Sequence, residues 1–285
     1  MNKRWIEPVT LTGKKVVLEP LSLEHTDGMI AAVKGGELWK LWYTHIPSPE
    51  KVEEYIKKAL DLRENAGWIP FIVREKVSNK VIGTTRYCNV DEVNQRLEIG
   101  YTWYSKSYQR TAVNTECKYL LLSHAFEKLD AIAVELRTHW HNHKSRAAIA
   151  RLGAKQDGVL RNHQKSADGV YRDTVVFSII NSEWLTVKKS LEFKLNSQYL
   201  RGEHSKFVGK QAQAAVLGGV PREILRRGRR REQTHLQPFS ASGRFVYIGT
   251  RRSCDIITSS YQGRACLFRR QPNNRVDGFL LNRRL

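Results

Sequence analysis

The chain is short of cysteine, and none of what it has is spaced for a metal or a redox dithiol. Cys88, Cys117, Cys254 and Cys266 fall in no C-x-x-C pair, so zinc-ribbon and thioredoxin-like chemistry have no local support. No apolar run is long enough to span a bilayer. The opening MNKRWIEPVTLTG holds no signal-peptide stretch, and a cytoplasmic, reduced protein without a membrane span is the expectation. No Ser-His-Asp order suggests an acyl-enzyme. Acidic residues become scarce in one place only: residues 201–285 hold five Asp or Glu against 18 Lys or Arg.

That scarcity marks a boundary. The formal net charge of the 285-residue chain is +20, and the kind of base changes along it. Residues 1–200 carry 19 Lys and 11 Arg, whereas residues 201–285 carry 2 Lys and 16 Arg. A folded domain has no physical reason to switch so sharply. The expectation is one domain over residues 14–195 and a basic, low-order extension over 196–285. Within the extension, FVYIGT and ACLF are possible short strands with no convincing partner. Its RRGRRREQ run suits nonspecific contact with nucleic-acid phosphates, without base reading. The abrupt switch equally fits a reading-frame or fusion product.

Before residue 200 the apolar pattern is regular. Strands are predicted over 15–21, 68–76, 80–90, 96–105 and 131–140, and a hairpin over 155–164 and 170–180. Helices are predicted over 22–33, 48–67, 142–154 and 183–195. Ser22 caps the first; Ser48, Pro49 and Gly67 bound the second. The turns VSNK and DEVNQ are short enough to join antiparallel neighbours. The fold class is α/β or α+β, of ordinary size for a single core.

Residues 107–129, SYQRTAVNTECKYLLLSHAFEKL, enter a helix through a polar run. Leu120, Leu121, Leu122, Ala125, Phe126 and Leu129 make a core-facing stripe. Ahead of them, Asn114 or Thr115 is the expected N-cap, and Arg110 adds a positive charge. A helix start presents unpaired N–H groups and a positive dipole end. The run is therefore either a capped helix open to water or a phosphate cradle.

The order of elements and these motifs resemble the GNAT acetyltransferase superfamily, in the branch of the ribosomal-protein N-acetyltransferases RimJ and RimL. The resemblance covers about residues 14–195. It implies an α+β fold with a mixed, mostly antiparallel sheet and helices on both faces. Family members carry a Q/R-x-x-G-x-G/A signature that wraps the pyrophosphate of acetyl-CoA with backbone amides. Gln109, Arg110, Thr111, Ala112, Val113 and Asn114 occupy it here, followed by Thr115 and Glu116. Ala112 and Asn114 replace the usual small positions. In NHKSRAAIARLGA, Asn142 and Ser145 match the family's Asn-x-x-Ser helix, where the Asn contacts the pantetheine arm and the Ser lies near the sulfur. Three residues of spacing puts both on one face. The plain alternative is an Asn cap and an exposed Ser. The resemblance further implies that strand LEIGYTWY splays from the next one, with the acetyl carbonyl docked in the gap.

Direct attack of an amine on a thioester needs a base, oxyanion stabilisation and a leaving thiolate. Strand alternation puts Glu98, Gly100 and Thr102 on one face, and Leu97, Ile99 and Tyr101 on the other. Glu98 is the candidate base, and is equally read as an ion-pair partner of Arg96 or Arg137. Ser145 is the candidate donor to the thiolate, with Tyr101 and Tyr104 as rivals. His139, His141 and His143 straddle a strand-to-helix junction, which does not gather them round one ion, and no metal is expected. Trp39, Trp42, Tyr43 and Trp68 either stack on the acceptor or belong to the core. The acceptor that the resemblance implies is a primary amine: a peptide or protein N-terminus, or a small molecule. A monomer or homodimer is expected.

Overall fold

The computed structural model describes residues 4–166 and 168–217, together with three further strands, Ile256–Tyr261, Arg264–Arg270 and Val276–Leu280. Eight earlier strands form one sheet in the order β1-β2-β3-β4-β5-β6-β8-β7. They are β1 Leu11–Thr12, β2 Val16–Pro20, β3 Ile69–Glu75, β4 Val81–Asp91, β5 Arg96–Tyr104, β6 Ala133–His139, β7 Lys155–Lys165 and β8 Tyr171–Ile180. Only β5 and β6 pair in parallel; the other neighbours are antiparallel. The helices are α1 Thr26–Lys34, α2 Val52–Ala66, α3 Val113–Glu127, α4 His143–Leu152 and α5 Asn181–Leu217.

Side-chain alternation assigns the two faces of the sheet. On β3, Phe71 and Val73 join one apolar cluster with Cys117 and Leu121 of α3, Ile149 of α4 and Leu191 of α5. Ile72, between them, joins another with Met29 and Val33 of α1 and Ile56 and Ala59 of α2. Helices therefore cover both faces. Cys88 and Cys117 are fully buried free thiols, as expected of small apolar packing residues. Local signals place the helix ends. Pro49 opens a 3-10 turn that runs into α2, and Gly67, at φ 66°, closes it, in the left-handed region that glycine enters without strain.

Alternation fails on β5, and the failure shapes the site. Arg86 pairs with Gly100, but Thr84 pairs with Trp103, so one extra residue bulges from β5. Tyr101 there has φ 52°. Leu97 and Ile99 lie in the α3–α4 cluster and Tyr104 joins them, while Trp103 goes to the α1–α2 cluster. The expected face-sharing of Tyr101 with Leu97 and Ile99 is corrected accordingly. Tyr101 is 43% exposed and lies against Trp68 and Arg86.

The helix expected over 183–195 runs on through Leu217. Leu195 and Tyr199 bury with Ala112, so a boundary between 195 and 196 falls inside α5. Strands β9 Ile256–Tyr261, β10 Arg264–Arg270 and β11 Val276–Leu280 form a separate antiparallel sheet with β10 central. ACLF lies in β10 and pairs on both sides. FVYIGT and RRGRRREQ lie outside the described residues.

Candidate active site

The parallel pairing of β5 and β6 extends only from Arg96↔Ala133 to Glu98↔Glu135. Beyond Glu98 the strands part, as the resemblance implied. The opening belongs to a cavity of about 810 Å³ lined by β5 from Glu98 to Tyr104 and β6 from Leu136 to His139. A cavity of that size suits an extended ligand. Gln109, Arg110, Asn114, Asn142 and Ser145 line the same cavity, so the structure brings together most of the residues singled out from sequence.

Thr111, Ala112, Val113 and Thr115 are not among the lining residues. Helix α3 begins at Val113 with Ala112 in the capping position, so neither Asn114 nor Thr115 is the N-cap. The Thr111 hydroxyl accepts the Val113 N–H at 3.3 Å and donates to Tyr108 O at 2.7 Å. Thr115 is fully buried and accepts from Arg151 Nη2 at 3.0 Å. Glu116 N–H bonds Ala112 O, so the amides before it precede the helical ladder, the usual donors of a helix-start anion site. Arg110 sits ahead of them at φ 60°. The Gln109 amide is tied to Tyr104 O at 3.1 Å, which anchors the loop to the end of β5.

Asn142 caps α4, its Oδ1 accepting from Ser145 N–H at 3.0 Å. The cap reading and the ligand reading are compatible. The bond fixes the side-chain plane, and both residues are half-exposed on the cavity side of the helix start.

Glu98 is 7% exposed. Asn89 Nδ2 donates to its Oε2 at 2.8 Å, and Arg137 Nε lies 3.5 Å away. Burial raises the carboxyl above its ordinary range, against the opposing pull of the Asn89 hydrogen bond and the Arg137 charge. Arg96 pairs instead with Glu135 at 2.7 Å, which also takes the short bond of Arg137, 2.7 Å. Glu98 is thus a buried, raised carboxylate facing a cavity and only loosely paired, a combination typical of acid–base sites. A Cβ at Gly100 would stand 3.0 Å from both Cys88 Sγ and Glu98 Oε1; glycine leaves the carboxylate its place.

Lys118 is among the site residues that escaped the sequence reading. Lys118 of α3 is 4% exposed and lines the cavity. Its Nζ donates to Thr102 Oγ1 at 2.6 Å, and burial pushes its pKa down to about 8. The signal was present: Lys118 falls three and four residues before Leu121 and Leu122, on the apolar stripe.

Of the aromatics, Tyr43 lines the cavity together with Tyr55. Trp39 packs against the α1–α2 cluster. Trp42 is 69% exposed, edge-on to His139 at 5.0 Å between centroids. Trp68 meets Tyr101. Tyr104 lines the cavity, and burial raises its phenol well above the ordinary value.

Comparison with known proteins gives this geometry its context. A family model described as an acetyltransferase (GNAT) domain matches residues 15–155. YdaF of Bacillus subtilis (strain 168), by its name a candidate ribosomal N-acetyltransferase, is 33% identical over 96 residues, 34% of this chain. The match spans about half, 51%, of that relative. An uncharacterised N-acetyltransferase, p20 of Bacillus licheniformis, is 25% identical over 179 residues, 61% of this chain and 98% of its own. The crystal structure of a candidate acetyltransferase from T. thermophilus aligns with TM-score 0.59 at 30% identity, over 67% of this chain and 100% of that one. A GCN5-related N-acetyltransferase from Brucella melitensis aligns with TM-score 0.60 at 28% identity, over 67% and 87%.

Proposed function

Because the chain belongs to the GNAT acetyltransferase family, whose members use acetyl-CoA, we propose that it transfers the acetyl group to a primary amine by direct attack in the opening between β5 and β6. The observation that carries this reading is the end of strand pairing at Glu98↔Glu135, beyond which both strands line one cavity. The start of α3 with Arg110 and Asn114, and the start of α4 with Asn142 and Ser145, line one part of it. Tyr43, His45 and Tyr55, from the loop before α2 and from α2 itself, line another. Two substrates entering by these routes meet beside Glu98.

The residues divide the work. The amides at the start of α3 and the Arg110 guanidinium suit the pyrophosphate of acetyl-CoA. Asn142, held by its cap bond, orients toward the pantetheine arm. Glu98, in its ionised form, takes the amine proton through water. Ser145 or Tyr104, each a neutral hydroxyl donor, supplies a proton to the departing thiolate. Holding amine and thioester in contact provides much of the rate without a covalent intermediate.

The test is a thiol-release assay with acetyl-CoA against a panel of amines and peptides, beside calorimetry with CoA. Micromolar CoA binding weakened by Asn142→Ala, with acetylated product identified by mass, supports the reading. No heat at millimolar CoA rejects it.

A further inference from the structure

Six cationic side chains line the cavity, namely Lys106, Arg110, Lys118, Arg137, Lys144 and Arg172, against one carboxylate, Glu98, among the described residues. Most have an assignment. Arg110 and Lys106 belong to the loop before α3, and Lys144 to the first turn of α4. Those are the helix starts assigned above to the cosubstrate. Lys118 is tied to Thr102. Arg137 is paired with Glu135.

Arg172, on β8, has none of these. Its Nε is buried without a hydrogen-bond partner among the described residues. Its neighbour in sequence, Asp173, is engaged elsewhere: Arg161 pairs with it, and Asn162 N–H donates to Oδ1 at 2.8 Å. Glu98, the one cavity carboxylate, is already bonded to Asn89 and close to Arg137. A guanidinium cannot shed its charge; Glu98 acts on this one only through space and is shared with Arg137, and a half-buried cation with no carboxylate of its own is costly. The imidazoles around it are held toward the neutral form. Burial and the Arg172 charge hold His45 and His139 below the ordinary histidine value, and burial with the Arg137 and Arg172 charges does so for His163. His163 Nδ1 is also 3.1 Å from Thr174 Oγ1. Uncharged imidazoles beside a fixed guanidinium offer hydrogen bonds to an anion and no repulsion of their own.

The position favours the acceptor over the cosubstrate. Arg172 acts on His45, which lies in the loop ahead of α2, and Thr174, two residues on, pairs with His139 at the far end of β6. Helices α1 and α2 cover this face of the sheet, and α3 and α4 the other.

We propose that Arg172 forms an anion-binding subsite in the acceptor half of the cavity, so that the acceptor is an amine carrying a carboxylate or a phosphate near its nitrogen. The proposal rests on the amine-acetyltransferase reading above. A guanidinium binds either group through two parallel hydrogen bonds. Polyamines and aminoglycoside-like amines, with several positive charges, meet an unfavourable field in the same cavity.

The experiment uses CoA-saturated full-length protein, which occupies the phosphate sites of the cosubstrate. It is titrated with two product pairs that differ only in the anion: N-acetylglycine against N-acetylglycinamide, and N-acetylethanolamine phosphate against N-acetylethanolamine. At least one anionic member should bind about tenfold or more tightly than its neutral mate, the scale of a charge-assisted contact. Arg172→Gln should erase that preference while leaving CoA affinity unchanged and the melting temperature no lower than the parent's. The pair that responds separates carboxylate from phosphate. Equal binding within both pairs, or a preference that survives in Arg172→Gln, overturns the proposal. So does loss of CoA affinity in the folded variant, which would assign the guanidinium to the cosubstrate. Turnover with glycine, O-phosphoethanolamine and spermidine is followed in parallel. Preference for spermidine also overturns the subsite. Acetylation of no amine at all would reject the amine-acetyltransferase reading, while the product-binding result would still judge the subsite.

Discussion

Lys118 Nζ lies 2.6 Å from Thr102 Oγ1, joining a charge on α3 to the bulge of β5. That charge is buried, with no carboxylate in contact, and its pKa in the folded protein falls from 10.5 to about 8. The sign follows from proton counting. Between those two values the unfolded chain holds the proton and the folded chain does not, so stability rises with pH through that window. Below it, the folded protein carries the full cost of the buried charge. Lys118→Met should therefore melt higher than the parent at pH 7, by an amount on the order of 3 kcal/mol, with an advantage that shrinks as pH climbs from about 8 toward 10.5. Thr85 and Thr102 keep their mutual hydroxyl bond of 2.7 Å. Thermal melts across that range check it; a variant less stable at pH 7, or a gap independent of pH, contradicts it.

Glu98→Gln should lower kcat by about 10²- to 10⁴-fold, the range for losing a positioned base, and change KM little. Burial raises the Glu98 carboxyl, and a base acts only when ionised. The parent's kcat should fall with decreasing pH at a point above the ordinary carboxylate range. The Gln variant should lack that acid limb. An identical pH–rate profile in both proteins removes Glu98 from proton transfer.

Apart from the sheet topology, which the family resemblance implied, the expected features that the structure reproduces are the ones set by neighbours in sequence. Pro49 and Gly67 mark the ends of a helix because such signals are local, although Ser48, expected as its cap, stands ahead of the intervening 3-10 turn and makes no side-chain cap bond; Asn142 caps α4 three residues from the amide it serves. The strand alternation of Phe71, Ile72 and Val73 likewise reads directly. The β5 bulge does not: its positive φ falls on Tyr101, a residue with no intrinsic preference for that region, and only pairing with β4 imposes it. Once the phase slips there, assignments by alternation fail downstream. Lys118 was hidden by its type, since a lysine on a helix ordinarily marks the solvent face. Arg172 was hidden by distance, because its isolation depends on where β6, β8 and the loop before α2 meet. The polar run before α3 raised a phosphate cradle as one of two readings by itself, and the family resemblance is what favoured it.

Asn142 offers a way to separate a cap from a ligand contact. Asn142→Ala should cost about 1 kcal/mol of stability and weaken CoA binding. Asn142→Ser keeps a good capping oxygen for Ser145 N–H but loses the amide. It should melt near the parent while still binding CoA more weakly. If the Ser variant binds CoA normally, Asn142 acts only as the cap.

Gly83→Ala tests the β4–β5 scaffold behind the bulge. A Cβ there would collide with the backbone carbonyl of Trp103, and backbone in the centre of a sheet has little room to yield. Trp103 stands in the pair that borders the register shift and Gly83 one pair beyond it, so relief would come from widening the strand pair itself. We expect a loss of about 2 kcal/mol or more, in the range of overpacked cores, read as a lower denaturation midpoint with an unchanged slope. A neutral substitution would mean that the bulge can absorb the displacement.

The length of α5 decides where the acetyltransferase unit ends. Tyr199 is 8% exposed, buried with Ala112 and Leu195, and Ala112 leads directly into α3. Lys14 and Lys15 also lie over its ring, each 4.8 Å from the centroid. A chain ending after residue 200 keeps these contacts, and we expect it to retain its melting transition and CoA affinity. A chain ending after residue 195 loses Tyr199, and with it about 3 kcal/mol or more, the cost of deleting a buried aromatic. Because Ala112 belongs to the loop proposed to hold the pyrophosphate, that shorter chain should bind CoA more weakly even where it stays folded. The arginine-rich residues beyond 200 should then account for any retention on DNA, and rising salt should abolish it as counterions compete for the phosphates. Melting temperature, CoA calorimetry and DNA retention on the full chain and both truncations measure all of this. Loss of CoA binding on cutting at 200 would place an essential part of the site beyond that residue, and equal DNA retention by all three lengths would move the basic footprint onto the folded unit.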